Sequence, residues 1–100
     1  MILNERETPQ GLLVSVCDAD VLGESFEDGD VSITVTEEFY GGDRCDEAAV
    51  IASLERAAVA NLVGEDAVAL AIEAGVVDEA NVLDIGRTRH AQVLNLARMD

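Results

Sequence analysis

Two cysteines and one histidine, Cys17, Cys45 and His90, are the side chains in this chain best suited to chemistry. Together they would ligate a soft or borderline metal ion, and a thiol beside an imidazole is the pairing that activates a nucleophile. The spacing supports neither. Structural zinc sites present ligands in pairs a few residues apart, and none of these three has a near neighbour. A Cys45 and His90 pairing stays open at this level, although a lone histidine in a hairpin is more often structural than catalytic. Asp18, Asp20 and Gly23 occupy the first, third and sixth places of an EF-hand-like loop, but Leu22 and Gly29 stand where later oxygen ligands belong. Gly23-Glu24-Ser25-Phe26-Glu27 lacks the closing glycine of a nucleophile elbow. Gly41-Gly42-Asp43 has no Lys, and its acid would repel a phosphate. Carboxylate pairs such as Glu37-Glu38 carry no specificity in so acidic a chain. No metal, cofactor or catalytic residue is therefore expected.

Two segments remain that are unusual for this composition. Glu37-Glu38-Phe39-Tyr40-Gly41-Gly42 sets two of only three aromatic residues beside a glycine pair, where backbone approaches a partner closely. A plug at a strand end fits it as well as a binding role. Arg87-Thr88-Arg89-His90 is the only basic cluster, and its arginines would contact RNA phosphates or a base edge, or else pair with nearby surface acids.

The elements that must position these residues follow from pattern. Pro9-Gln10-Gly11 separates Ile2 to Glu7 from the apolar stretch Leu12 to Cys17, which reads as a strand pair joined by a turn. Asp18 to Asp30 reads as an irregular acidic loop with one short turn. Val31 to Thr36 alternates apolar and polar residues and predicts a strand with Val31, Ile33 and Val35 on its buried face. Asp43 or Asp46 caps a first helix running to about Arg56, with Val50, Ile51, Leu54 and Ala58 inward. Gly64-Glu65-Asp66 ends the apolar stretch Ala57 to Val63 and opens a second helix reaching Gly75, so that the two helices form a pair. Val82 to Ile85 and Ala91 to Leu96 flank Gly86 to His90 as a closing hairpin. The expected fold is a single α+β domain spanning residues 1–100, a small antiparallel or mixed sheet of four to five strands with two to three helices packed on it.

Charge is the sharpest compositional fact. Twenty-one acids face six bases, giving a net charge of −15, and every base is Arg. Such a coat repels itself in dilute buffer, whereas at about 1 M salt the Debye length is only about 3 Å. Carboxylates hold water against competing salt, and the apolar stem of Lys is avoided. The pattern predicts a protein adapted to a salt-rich cytosol, with acids spread from Glu5 to Asp100 rather than clustered for one basic partner. Neither a basic leader nor a window near 20 apolar residues is present, so a cytoplasmic location without membrane contact is expected. Free thiols are the expectation for both cysteines.

Val16-Cys17-Asp18, Leu22-Gly23, the Phe39-Tyr40-Gly41-Gly42 run, Ala60-Asn61-Leu62-Val63-Gly64-Glu65 and His90-Ala91-Gln92-Val93 occur in this order. In this the chain resembles archaeal domain-of-unknown-function family 424 from about Leu12 to Leu96. The polar start Asn4 to Glu7 departs from the family's usual first strand. The resemblance implies a small archaeal cytosolic protein linked to translation or RNA, and the positions it marks are Phe39, Tyr40, Gly41, Gly42, Asn61, Gly64, His90 and Gln92. With Arg87 and Arg89 these make the expected binding set. The function expected is a non-catalytic binding module whose partner is RNA, a ribonucleoprotein or another protein. A small enzyme using Cys45 or His90, and a structural homo-oligomer with an apolar patch or free sheet edge, are the alternatives.

Overall fold

A computed structural model describes residues 1–94. Strands β1 (Ile2–Thr8) and β2 (Gly11–Cys17) form the expected hairpin, with Thr8 paired to Gly11 around a turn at Pro9 and Gln10. The Thr8 hydroxyl closes that turn, accepting from the Gln10 N–H at 3.2 Å and donating to the Gly11 carbonyl at 2.7 Å. The polar residues Asn4 to Glu7 are thus compatible with a full seven-residue strand.

Beyond β2 a 3-10 turn (Ala19–Val21) leads to a second hairpin, β3 (Ser25–Asp28) and β4 (Val31–Thr34), which forms its own two-stranded sheet. The acidic loop expected over Asp18 to Asp30 therefore contains a strand, whose partner is the strand expected next to it. Of the anticipated buried face Val35 is fully buried and Ile33 packs half-buried against the same core, while Val31, at the far end of the hairpin, is 43% exposed. Helix α1 (Glu37–Tyr40) is a single turn capped by Thr36, β5 (Asp43–Arg44) adds an edge, and α2 (Glu47–Arg56) starts on its Asp46 cap at 2.9 Å.

The largest departure from expectation is β6 (Val59–Val63), which lies between α2 and α3 (Glu65–Glu73) where a helix pair was anticipated. Five residues are too few for a helix of their own, and two β-branched valines suit a strand. This segment pairs parallel to β2 and antiparallel to β8 at the middle of the sheet. A second 3-10 turn (Glu79–Asn81) precedes β7 (Leu83–Ile85) and β8 (Thr88–Leu94). Their hairpin is tighter than expected: only Gly86 and Arg87 form the turn, so Arg89 and His90 belong to β8. The last two residues of the strand expected to reach Leu96 lie outside the described residues.

The mixed sheet has the order β5-β1-β2-β6-β8-β7, six strands rather than four to five. One face buries Val14, Val16, Ala60, Leu62 and Ala91 under α2 and α3, whose Val50, Leu54, Val68 and Ala71 point inward. Part of the opposite face buries Ile2, Cys17 and Val63 under Val35 and Tyr40. Among the described residues, three helices and eight strands thus make an α+β fold with a core on each side of one sheet.

Candidate functional site

Register decides which side chains share a face. Asn4 stands opposite Ser15, Ser15 opposite Asn61, and Asn61 opposite Gln92, so four uncharged polar residues cross β1, β2, β6 and β8 in one row. Arg6, Leu13, Val59 and Leu94 form the next row by the same pairings. Both rows lie away from α2 and α3, beside the part of that face which Tyr40 and Val35 cover. Among the described residues, no strand of the six-stranded sheet directs a carboxylate to this face, although the chain carries 21 acids. Its cations are Arg6 and, beside Ile2, Arg44.

The signature residues frame this surface. Phe39 packs edge-on against Tyr40, with ring centroids 5.0 Å apart, and the Arg6 guanidinium sits 5.5 Å from the Phe39 centroid, a cation–π geometry. Arg6 also donates to the Glu38 carbonyl, and Asn4 donates to the Gly41 carbonyl at 2.6 Å. A Cβ at Gly42 would lie 2.8 Å from the carbonyl carbon of Leu3, so glycine is what lets the end of α1 close onto β1. Tyr40 is only 4% exposed, with its ring turned toward the core. Burial pushes its phenol up to about 12, and the same cause, reinforced by the Asp18 charge, pushes the Cys17 thiol up to about 11. Such groups are held neutral at ordinary pH.

Asn61 and Gly64 are not a cap between two helices. Asn61 is a mid-strand residue of β6, and Gly64, at φ +120°, is the bend between β6 and α3. Asp18 caps α3 from across the sheet, accepting from the N–H groups of Asp66 at 3.0 Å and Ala67 at 2.8 Å. A Cβ on Gly64 would lie 2.5 Å from Asp18 Oδ2. Burial raises the Asp18 pKa; the two backbone hydrogen bonds oppose the shift, and the nearby Asp66 and Asp20 charges add to it. Nothing in the sequence pairs Asp18 with residue 66, since the contact spans 48 positions.

Of the remaining candidates, His90 lies on this same face two residues along β8 from Gln92, whereas Arg87, Arg89 and Cys45 lie apart. Arg89 pairs with Asp84 at 3.1 Å and Glu79 at 3.5 Å, whereas Arg87 stands at the turn with no ion pair among the described residues. His90 holds Nδ1 2.9 Å from the Leu62 carbonyl, which accepts only, so Nδ1 carries the proton. Cys45 borders β5, with its N–H bonded to the Met1 carbonyl. Strands β1, β2 and β6 separate that edge from β8, roughly 15–20 Å at about 4.8 Å per strand, so Cys45 and His90 do not meet. Among the described residues no group of three His, Cys, Asp or Glu side chains is placed to hold a metal ion. A cleft of about 690 Å³ opens at the carboxyl end of β2, lined by Asp18, Asp20, Asp46, Glu47, Asp66 and Glu73. Acids spread along the sequence thus converge here in space.

No helix among the described residues is long and apolar enough to cross a membrane. None of the curated proteins matches the chain. Its fold is similar to the crystal structure of an uncharacterized conserved protein from Methanopyrus kandleri, with a TM-score of 0.76 at 22% identity over 92% of this chain and 88% of that one. A family model described as protein of unknown function (DUF424) matches residues 5–96. Nearly the whole chain is covered, and the protein belongs to the DUF424 family.

Proposed function

We propose that this protein is a non-catalytic module that binds single-stranded RNA, free or within a ribonucleoprotein, on the sheet face bearing Arg6, Asn61 and Gln92. The observation that carries this reading is the charge pattern: in a chain of net charge −15 the described strands of the six-stranded sheet direct no carboxylate to one face, and an arginine lies over an aromatic ring at its edge. A polyanion is repelled elsewhere and tolerated there. In a salt-rich cytosol ionic contacts weaken steeply, so hydrogen bonds and stacking carry the affinity. Fluorescence anisotropy with a mixed-sequence RNA oligonucleotide in molar KCl tests it. Association weakened by Arg6→Ala, and unchanged by Arg87→Ala with Arg89→Ala, is the expected result. Absence of association, or indifference to Arg6, removes the reading.

A basic protein partner seated in the acid-lined cleft is the second reading, favoured by the convergence of six carboxylates there. Pull-down from the native cell in its own salt separates the two by whether RNA or a basic protein is recovered. Exposed Leu83 and Leu94 would favour self-association, which sedimentation in high salt measures.

A further inference from the structure

We infer that a slot beside the acid-lined cleft receives a Lys or Arg side chain from a basic segment of a protein partner, with the Thr88 hydroxyl among its acceptors; this rests on the second, protein-partner reading. The slot has a volume of about 150 Å³, room for about five waters and so for the end of one such side chain. Asp18, Asp20, Glu65, Asp66, Arg87 and Thr88 line it, and the cleft shares Asp18, Asp20 and Asp66, so slot and cleft adjoin. Backbone pairing builds it. The Asp18 N–H donates to the Val63 carbonyl at 3.1 Å and the Gly64 N–H to the Arg89 carbonyl at 2.9 Å, which brings the ends of β2 and β6 beside the start of β8.

Two independent observations point to a cation that carries its own N–H donors. The first is charge: Asp20, Glu65 and Asp66 are exposed and in no ion pair among the described residues. Arg87, also exposed and unpaired there, does not neutralise them. Asp18 commits both oxygens to N–H groups of α3 and adds only its charge. The second is Thr88, which is 3% exposed and whose Oγ1 has no hydrogen-bond partner among the described residues, although buried hydroxyls almost always have one. An entering ammonium or guanidinium donates to that oxygen while the carboxylates hold its charge. No three carboxylates are placed to grip a metal ion among the described residues, so the donors must come with the ligand. Salt screens exposed ion pairs far more than a hydrogen bond to a buried, uncharged acceptor, so the contact persists in brine.

Fluorescence anisotropy with a labelled oligoarginine peptide in molar KCl tests this on the full chain, with Thr88→Val, Glu65→Gln and Asp30→Asn each checked for native circular dichroism. Thr88→Val removes the hydroxyl at nearly constant shape and should weaken binding about tenfold, the loss of one charge-assisted hydrogen bond. Glu65→Gln, which touches the slot but not the cleft, should weaken it about twofold. Asp30→Asn removes the same charge at a distant hairpin turn and should change nothing. In the free protein Thr88→Val should hold or raise Tm, by up to roughly 4–8 °C, because an unpaired buried hydroxyl is gone. A fall in Tm would show that the hydroxyl holds the fold rather than a ligand. That result, unchanged affinity in Thr88→Val or Glu65→Gln, or equal weakening by Asp30→Asn overturns the slot while the cleft reading stands. Failure of wild type to bind the peptide removes both.

Discussion

Replacing Gly64 with Ala should destabilise the fold by about 2–4 kcal/mol through one junction. At φ +120° and ψ 151° the backbone occupies a region that is nearly glycine's alone, and forcing an L-residue into it costs roughly 1–3 kcal/mol. The new methyl would also meet the Asp18 carboxylate, 2.5 Å from Oδ2, and displace the group that caps α3. Losing such a cap costs about 0.5–2 kcal/mol. A domain of this size has roughly 5–15 kcal/mol in all, and each 1 kcal/mol lost lowers Tm by about 4–8 °C. Urea denaturation in molar KCl, followed by circular dichroism, measures the loss. Because part of the cost passes through Asp18, Gly64→Ala combined with Asp18→Ala should cost less than the two single changes added together, by about 1 kcal/mol. Strict additivity, or a Gly64→Ala loss under about 1 kcal/mol, would refute the reasoning.

Tyr40 is the only tyrosine, so phenolate absorbance reports it alone. While the protein stays folded, absorbance should remain flat at pH 10–11 and rise near 12; a midpoint at the free-phenol value would place the ring in water. The raised phenol pKa also means that stability is lost as pH climbs past the unfolded value of about 10. For Asp18 the raised pKa runs the other way: ionisation is penalised in the fold, so acidification from neutrality toward the unfolded aspartate pKa relieves the penalty and adds stability. Comparing wild type with Asp18→Asn over that range should show a shallower gain in the variant, and parallel profiles would contradict the assignment. Iodoacetamide at pH 8 should label half-buried Cys45 before Cys17, whose sulfur is fully buried and whose thiol titrates near 11; equal rates by mass spectrometry would show the core around Cys17 to be open.

Local signals in the sequence matched local structure. Pro9-Gln10-Gly11 marked the first hairpin because those residues favour a turn whatever surrounds them, and Asp46 marked the start of α2 because its carboxylate reaches the Ala49 N–H three residues on. The failures share one cause. Val59 to Val63 looks like an apolar stretch between helices, and only pairing with β2 and β8 makes it the central strand. Glu37 to Tyr40 looked like the end of an extension, yet the Thr36 cap turns it into a helix that delivers Phe39 to Arg6 and Tyr40 to the core.

Composition alone determined the aliphatic core, the acidic coat and the size of the unit, because these depend on how much of each residue type is present. Turn and cap positions followed from interactions within a few residues. Tertiary structure decided the rest: that Asn4, Ser15, Asn61 and Gln92 form one row, that Asp18 caps a helix beginning nearly fifty residues later, and that no described strand of the six-stranded sheet directs a carboxylate to one of its faces. The reason is geometric. Strand pairing sets register between distant segments, and a shift of one residue would send every side chain of a strand to the other face.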